Sequence, residues 1–288
     1  MSDRLMLFPN NDVSTVVWDL ENDRSVGILE GHDSTLLLSA MPYCESWAAT
    51  YSSKGVGTAK IWNLDTMQCM ATLTSAGISS MCCLKDRLLL GSIEGPIKVW
   101  DMSGSTPVAL LDLQGHHGCV WSISASETPN LVLSGSTDMS IRLWDVRTGV
   151  CVRTMEGHTG EVVSVSMDSA CKTGVSGSWD KTVKLWDIGT GKCIDTFQHD
   201  SHGVTSVGLH ESGSAFFSLD ANRCLRFFDA AGNPGHRATK TIDLKAACGV
   251  KLTAHDAFWS MKVAAKRDLS LFATSFATKD MLKTIMWA

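Results

Sequence analysis

One stretch of this chain occurs twice with hardly a change. Residues 134–151 read SGSTDMSIRLWDVRTGVC, and residues 176–193, 42 positions later, read SGSWDKTVKLWDIGTGKC. A near-copy at a period of about 20–50 residues is typical of repeat architectures, in which each copy is one supersecondary unit that buries its apolar surface against its neighbours. Any fold for this chain must therefore be built from one unit used several times.

The same unit extends along most of the chain. Each apolar run ends in an aromatic marker, and the markers are Trp18, Trp62, Trp100, Trp144, Trp186, Phe228 and Trp287, at steps of 44, 38, 44, 42, 42 and 59 residues. The runs alternate apolar and polar residues, which is the period of a β-strand with one buried face. Short strands bounded by Gly, Asp, Ser and Asn turns, with hardly any helical periodicity, predict an all-β fold.

The bulk composition argues against several function classes. The chain has 288 residues, of which 44% are hydrophobic and 19% charged, and its formal net charge is −5. This balance gives no electrostatic reason to expect nucleic acid or an anionic membrane surface as the main partner. The N-terminus lacks a basic region followed by an apolar run, and no stretch approaches the ~18 apolar residues of a spanning helix. We therefore expect a soluble protein of the cytoplasm or the nucleus, with no membrane insertion.

Two Gly-His pairs precede the two best copies of the repeat. They are Gly115-His116 and Gly157-His158. A period of 38 to 44 residues, with Gly-His upstream and Trp-Asp downstream, resembles the WD40 family of β-propellers. The resemblance covers essentially the full chain and is strongest at residues 110–195. It implies a ring of four-stranded blades around a central channel, with strands a to d of each blade running outward.

The resemblance also implies a structural role for the recurring polar residues. In the family, a Ser of the second strand, an Asp of the following turn, a Trp of the third strand and a His of the loop entering the blade form one buried hydrogen-bonded chain. Carried over by position, the two tetrads are His158, Ser176, Asp180 and Trp186, and His116, Ser134, Asp138 and Trp144. Such a network fixes two loops against each other when every member is satisfied. We thus expect the Asp-to-Trp spacing to serve architecture.

The count of strands departs from a closed ring. The N-terminal segment supplies strands b, c and d of a first blade, five full blades follow, and the segment from residue 258 supplies a, b and c of a seventh, giving 26 strands where seven blades need 28. We expect one domain over residues 1–288, a seven-bladed propeller whose first and last blades are incomplete because the N-terminal clasp strand is missing. Upstream residues or another chain would complete the open edge. Alternatively, residues 1–8 pair in another way, or six blades close with ragged ends.

Some repeats depart from the pattern. Glu94 takes the Asp position ahead of Trp100, Asn222 and Phe228 replace Asp and Trp, and the copy TYSSKGVGTAKIWN has no turn Asp. We expect those blades to be less rigidly tied. Residues 229–254 are longer than the equivalent segments, which predicts an extended connection between blades six and seven, either an outer strand or a protruding loop.

Three of the ten cysteines follow the repeat, and their spacing is not a metal or disulfide pattern. No C-x-x-C pair occurs, and Cys69, Cys151 and Cys193 each lie seven residues after a marker Trp. We expect small buried thiols in strands at this position, with no metal site and no cofactor.

Tryptophans are the leading candidates for partner binding. In the family, partner contacts commonly come from the residues that flank the first Val of strand a and from the residue just before the turn Asp. Carried over by position, these are Cys119, Trp121, Thr137, Glu161, Val163 and Trp179, with Trp259 at the position of Trp121 in the last repeat. An exposed Trp on a concave rim is a frequent hot spot, worth about 2 kcal/mol or more. Trp121 and Trp259 have an alternative role in packing between blades, whereas Trp179 lies in a turn.

A second hypothesis concerns LWDVR at residues 143–147. With Asp138 ahead of Trp144, it resembles the WDxR box by which some WD40 proteins dock onto the adaptor of cullin-RING ubiquitin ligases as substrate receptors. Arg147 would be the deciding contact. The alternative is a solvated arginine in a turn.

No catalytic constellation is visible in the sequence. It contains no G-x-S-x-G, no H-E-x-x-H and no Gly-Lys-Thr phosphate loop. The resemblance therefore implies a non-catalytic scaffold that binds a peptide or protein subunit on the loop face of the propeller, as part of a multi-subunit complex. The ligase receptor is the alternative. A third alternative, an enzyme on a propeller support, requires a site that we do not find.

Overall fold

The computed structural model describes residues 5–9, 14–19, 22, 24–32, 36–40, 47–52, 57–75, 77–104, 106–126, 130–199, 202–230 and 238–243. These residues form 23 β-strands in six sheets, and the described part of the chain contains no helix. It therefore has no helix long and apolar enough to cross a bilayer. The chain divides into two compact units, Met1–Val120 and Trp121–Ala288.

The first unit contains three sheets, and neighbouring strands in each are consecutive in the chain. The first sheet has three strands, β1 (Leu5–Pro9), β2 (Ser14–Asp19) and β3 (Arg24–Glu30). The second consists of β4 (Leu36–Ala40), β5 (Trp47–Ser52), β6 (Thr58–Asn63) and β7 (Gln68–Thr74). The third consists of β8 (Ile78–Leu84), β9 (Arg87–Ser92), β10 (Ile97–Asp101) and β11 (Val108–Leu113).

The second unit also contains three sheets, each of four consecutive strands. The first consists of β12 (Val120–Ser126), β13 (Leu131–Ser136), β14 (Ile141–Asp145) and β15 (Val150–Met155). The next consists of β16 (Val162–Met167), β17 (Thr173–Ser178), β18 (Thr182–Asp187) and β19 (Lys192–Gln198). The last consists of β20 (Val204–Leu209), β21 (Ala215–Asp220), β22 (Cys224–Asp229) and β23 (Lys240–Asp243).

These sheets confirm the predicted all-β fold and its antiparallel four-strand repeat. The first sheet has the three strands expected of an N-terminal blade without its strand a. The segment predicted to supply the last blade, from residue 258 onward, lies outside the described residues, as does most of the 229–254 connection. Within that connection the structure describes β23, which pairs with β22 as the outer strand of its sheet.

A β-bulge recurs where the strand that contains the marker Trp pairs with the outer strand of its sheet. The register shifts immediately before the marker Trp in five sheets, at Val17/Trp18, Ile61/Trp62, Val99/Trp100, Leu143/Trp144 and Leu185/Trp186. A bulge puts two residues of one strand opposite one of the other and increases the local twist. The marker thus lies where the outer hairpin bends.

The expectation of buried thiols at the repeated cysteine position is wrong. Cys69, Cys151 and Cys193 lie in the outer strands β7, β15 and β19, opposite the marker Trp. Cys69 and Cys193 are exposed and Cys151 is half-buried, because an outer strand is packed on fewer sides than an inner one. Each thiol donates to the carbonyl oxygen two residues onward, at 3.1–3.4 Å.

Small residues let neighbouring sheets of the second unit approach closely. A Cβ atom on Gly177 of β17 would lie 2.6 Å from Val204 Cγ1 and 2.8 Å from Val207 Cγ1, so the absence of a side chain opens the space that these valines fill. Gly135 of β13 makes the same space for Val162 and Val165. The apolar core of the unit therefore lies between consecutive sheets, against the strand that begins each one.

Candidate functional site

The tetrad of the β16–β19 sheet forms one hydrogen-bonded chain. Trp186 Nε1 donates to Ser176 Oγ at 2.8 Å, and Ser176 Oγ lies 2.7 Å from His158 Nε2. His158 Nδ1 in turn lies 2.7 Å from Asp180 Oδ2. A neutral imidazole protonated at Nδ1 satisfies this geometry, with the serine hydroxyl donating to Nε2; the tautomer is assigned from the hydrogen bonds.

The carboxylate at the end of this chain is strongly stabilised in its charged form. Burial alone would raise the pKa of Asp180, but hydrogen bonds from His158 and Thr182 and the backbone N–H of Thr159 outweigh it. The pKa of Asp180 is therefore held well below its usual range. Its other oxygen accepts from the backbone N–H of Thr182 at 2.8 Å, which closes the turn that follows β17.

In the second predicted tetrad, the serine and the aspartate accept hydrogen bonds from the equivalent groups. Trp144 Nε1 donates to the buried Ser134 Oγ at 2.8 Å, and Asp138 Oδ1 accepts from the backbone N–H of Ser140 at 2.9 Å. His116 is buried and lies in the first unit, whereas the other three members lie in the second.

Two departing repeats have networks of their own. In the second sheet, His32 Nε2 lies 2.6 Å from Thr50 Oγ1, which also accepts from Trp62 Nε1 at 2.7 Å. Thr50 thus replaces the tetrad serine, and no aspartate follows it at the usual position.

The β20–β23 sheet contains a network that the sequence analysis missed. His199 Nε2 lies 2.9 Å from Ser218 Oγ, and Arg226 Nη1 donates to Asp220 Oδ2 at 2.7 Å and contacts His199. Burial alone would raise the pKa of Asp220, and the bonds from His199, Cys224 N–H and Arg226 hold it well below its usual range. Asp220 and Arg226 therefore form a network in the sheet where Asn222 and Phe228 replace the tetrad Asp and Trp, and the weaker tying of this blade stays a prediction.

Three of the predicted binding residues meet on the second unit, and we call Trp121, Glu161 and Trp179 the tryptophan surface. Trp121 Nε1 donates to Glu161 Oε2 at 3.2 Å, and the backbone N–H of Trp179 donates to the carbonyl oxygen of Glu161 at 3.0 Å. Glu161, in the loop before β16, therefore contacts both tryptophans. Trp121 is 41% exposed and Trp179 49% exposed, so both indoles present a large apolar area to solvent.

The turn after β17 fixes the backbone of Trp179. The N–H of Lys181 donates to the carbonyl oxygen of Ser178 at 3.2 Å, and the N–H of Asp180 donates to Ser178 Oγ at 3.1 Å. Lys181 has a φ of 70°, the left-handed conformation that ends this tight turn. Trp179, between these residues, thus lies in a hydrogen-bonded turn with its side chain exposed.

The remaining predicted contact residues are less exposed. Thr137 and Val163 are half-buried, as is Cys119, which lies in the first unit. Trp259 lies outside the described residues.

Arg147 is exposed and forms a fork with its neighbour. Its Nε and Nη2 donate to the two carboxylate oxygens of Asp145 at 3.3 and 3.1 Å, and its backbone N–H donates to Oδ1 at 2.9 Å. The side-chain bond and charge of Asp145 raise the pKa of Arg147, and those from Arg147 lower that of Asp145. The arginine is therefore ordered by its own turn, with 61% of its side chain open to solvent.

Comparison with known proteins places this geometry in a family. A family model described as "WD domain, G-beta repeat" matches residues 107–145 and 149–187. Each match begins in an outer strand and ends in the third strand of the next sheet, β11–β14 and β15–β18.

Relatives match this chain over short parts of their own length. F-box/WD repeat-containing protein 10 of Mus musculus is 54% identical over 43 residues, which are 15% of this chain and 4% of that protein. A kinesin-like protein of Homo sapiens is 24% identical over 180 residues, 52% of this chain and 11% of that protein. Eukaryotic translation initiation factor 3 subunit I of Botryotinia fuckeliana is 42% identical over 40 residues, 14% of this chain and 12% of that protein.

The matched residues include most of the two near-identical copies, and the four-strand unit recurs in three further sheets. In the β16–β19 sheet, the buried Trp-Ser-His-Asp chain connects the loop before β16 with the turn after β17. Residues 107–145 and 149–187 of this chain are therefore WD40 repeats, within an all-β architecture of repeated antiparallel sheets.

Proposed function

We propose that this protein is a non-catalytic scaffold that binds a peptide segment or a protein subunit on the tryptophan surface. The observation that carries the proposal is a pair of exposed tryptophans: the indole N–H of Trp121 bonds to the Glu161 carboxylate, and the backbone N–H of Trp179 bonds to the Glu161 carbonyl oxygen. Exposed tryptophans held in place are typical binding hot spots, because a rigid indole buries a large area at low conformational cost. Residues 1–288 would act as one seven-bladed propeller, with 229–254 as a connection near its end.

The WD40 family and the relatives favour this function class. Repeat domains of this kind present loops on a rigid framework, and loops so positioned commonly carry binding. One matched relative is named as a subunit of a translation initiation factor. We accordingly propose protein or peptide partners within a multi-subunit complex.

The proposal is tested by affinity purification from native cells with quantitative mass spectrometry. The variant is Trp179→Glu, which places a charge on the surface and leaves the turn residues unchanged. The matched control is Ile194→Glu, since Ile194 is also exposed, on the outer strand β19 of the same sheet. Each variant must first unfold cooperatively with an unchanged midpoint.

We expect Trp179→Glu to remove at least one partner that both wild type and Ile194→Glu retain. Truncation of a hot-spot Trp costs about 2 kcal/mol or more, roughly a thirtyfold loss of affinity. If all partners persist with Trp179→Glu, binding occurs elsewhere and the proposal fails.

A second candidate function is the ligase substrate receptor. The fork between Arg147 and Asp145 favours it, since an ordered and exposed arginine loses little freedom on binding. The Arg147→Ala variant would then lose the ligase adaptor and keep the partners of the tryptophan surface. Retention of the adaptor, or its absence from wild-type purifications, would exclude this role.

A further inference from the structure

The Glu161 carboxylate on the tryptophan surface lacks a cationic partner within the described part of the chain. Its one side-chain hydrogen bond comes from Trp121 Nε1, and no described Lys, Arg or His forms an ion pair with it. Glu161 is exposed, so water solvates the charge in the free protein. A carboxylate in this position lowers the affinity for any acidic or purely apolar segment that covers it, because binding would then desolvate an unpaired charge.

Like the Glu161 carboxylate, the two indoles attract a positive charge. The face of an indole carries negative electrostatic potential and attracts ammonium and guanidinium groups within about 6 Å of the ring. The bond from Trp121 Nε1 to Glu161 uses the ring edge and leaves a face available for stacking. The carboxylate and both aromatic rings therefore select for a cation.

Neighbouring charged groups do not supply that cation. The nearby Asp180 carboxylate is bonded to His158 and Thr182 within the tetrad. Lys181, which follows the turn after β17, forms no described ion pair with Glu161, and His202 Nδ1 lies 2.6 Å from Asn222 Nδ2.

We propose that the tryptophan surface binds a basic side chain, Lys or Arg, of the partner segment, with Glu161 as its counter-ion and Trp121 and Trp179 as its aromatic contacts. The inference rests on the proposed function and names the chemistry of its partner. Glu161 is then a specificity-determining residue, which selects basic segments over acidic ones through charge complementarity.

The test uses the purified full chain and defined probes. The probes are short acetylated glycine peptides with one central Lys, Arg, Glu or norleucine, titrated to about 10 mM, since single-residue contacts give millimolar affinity. Binding is followed by the indole 1H–15N resonances, with those of Trp121 and Trp179 assigned from Trp→Phe variants. We expect the Lys and Arg peptides to shift both resonances and the Glu peptide to shift neither.

The decisive variant is Glu161→Gln, because the glutamine carbonyl still accepts the bond from Trp121 while the charge is lost. We expect it to weaken binding of the basic peptides about five- to tenfold, and the wild-type affinity to fall with added salt. Glu211→Gln is the matched control: Glu211 is exposed and follows β20, at the opposite strand end from Glu161, which precedes β16.

Two results with the wild-type protein would overturn the inference. One is equal binding of basic, neutral and acidic peptides; the other is no resonance shift with Lys or Arg peptides at the highest concentration. Unchanged affinity in Glu161→Gln would remove the counter-ion role in the same way. Each is distinct from failure of the proposed function, because Trp179→Glu would still lose its cellular partner if the surface bound a segment of different chemistry.

Discussion

Ser176 Oγ is the residue-scale centre of the tetrad, since it contacts both Trp186 and His158. The serine hydroxyl accepts from the indole and donates to the imidazole. Each donor in this hydrogen-bonded chain therefore has an acceptor. The chain ends on Asp180, whose charged form is held by several donors. A residue set that resembles a catalytic Ser-His-Asp group is thus buried against a tryptophan, where no substrate meets the hydroxyl.

Asp180 makes stability depend on pH in a defined direction. Its pKa is lowered in the folded state, whereas in the unfolded state it is near 3.9. The ionised carboxylate therefore stabilises the fold fully above about pH 5, and this contribution is lost as pH falls below about 4 toward the lower folded-state pKa. We expect Asp180→Asn to lower the free energy of unfolding by about 1–3 kcal/mol at neutral pH and by clearly less near pH 3.

Urea unfolding at the two pH values measures the difference. The exposed carboxylate of Glu211 provides the comparison, since Glu211→Gln should change stability little at either pH. A penalty for Asp180→Asn that stays constant from neutral to acid pH would show that its charge contributes nothing.

At the scale of the element, the outer hairpin carries the bulge in five sheets, and in three of these a cysteine lies opposite the marker Trp. The outer strand pairs on one side only, so its alternate side chains face solvent, as Val150 and Val152 do in β15. The thiol lies opposite the marker Trp, whose side chain is buried. The period of the strand therefore places the small cysteine at the bulge. The cysteine is exposed because its strand forms the outer edge of the sheet.

This arrangement predicts a pattern of thiol reactivity in the folded protein. Cys69 and Cys193 are exposed and should react within minutes with a thiol reagent, while Cys83 and Cys171 are buried and should react only after unfolding. Burial also raises the pKa of Cys171, which lowers its thiolate fraction further. Mass spectrometry after brief alkylation identifies the modified positions, and in denaturant all ten cysteines serve as the control. Fast labelling of Cys171 in native buffer would contradict the burial.

The elements that the sequence predicts well are those with a strict period. The strands that contain Trp144 and Trp186 alternate regularly, and the resemblance to the WD40 family, carried over by position, implied the tetrad of β16–β19. Exposure of the cysteines was not predicted, although seven positions after the marker Trp the chain is already in the outer strand, which packs on fewer sides. The Asp220–Arg226 pair was also missed, although a signal was present: these residues are six positions apart, like Asp180 and Trp186.

At the scale of the whole molecule, the sheets of the second unit are joined through serines of their first strands. Ser122 Oγ accepts from Val165 N–H at 3.1 Å, and Ser164 Oγ accepts from Val207 N–H at 3.0 Å. Each bond spans 43 residues, one repeat and one position. The repeat therefore connects neighbouring sheets as well as building each one, in the nearest-neighbour manner of repeat proteins.

Replacing one of these serines tests how strongly the sheets depend on each other. In Ser164→Ala the buried N–H of Val207 loses its partner, so we expect a loss of about 1–3 kcal/mol in the free energy of unfolding. Hydrogen exchange should become faster in β20 and β21, although the substituted residue lies in β16. Ser212→Ala, in an exposed turn after β20, is the control and should leave exchange unchanged. Faster exchange confined to β16 would mean that the serine bond does not couple the two sheets.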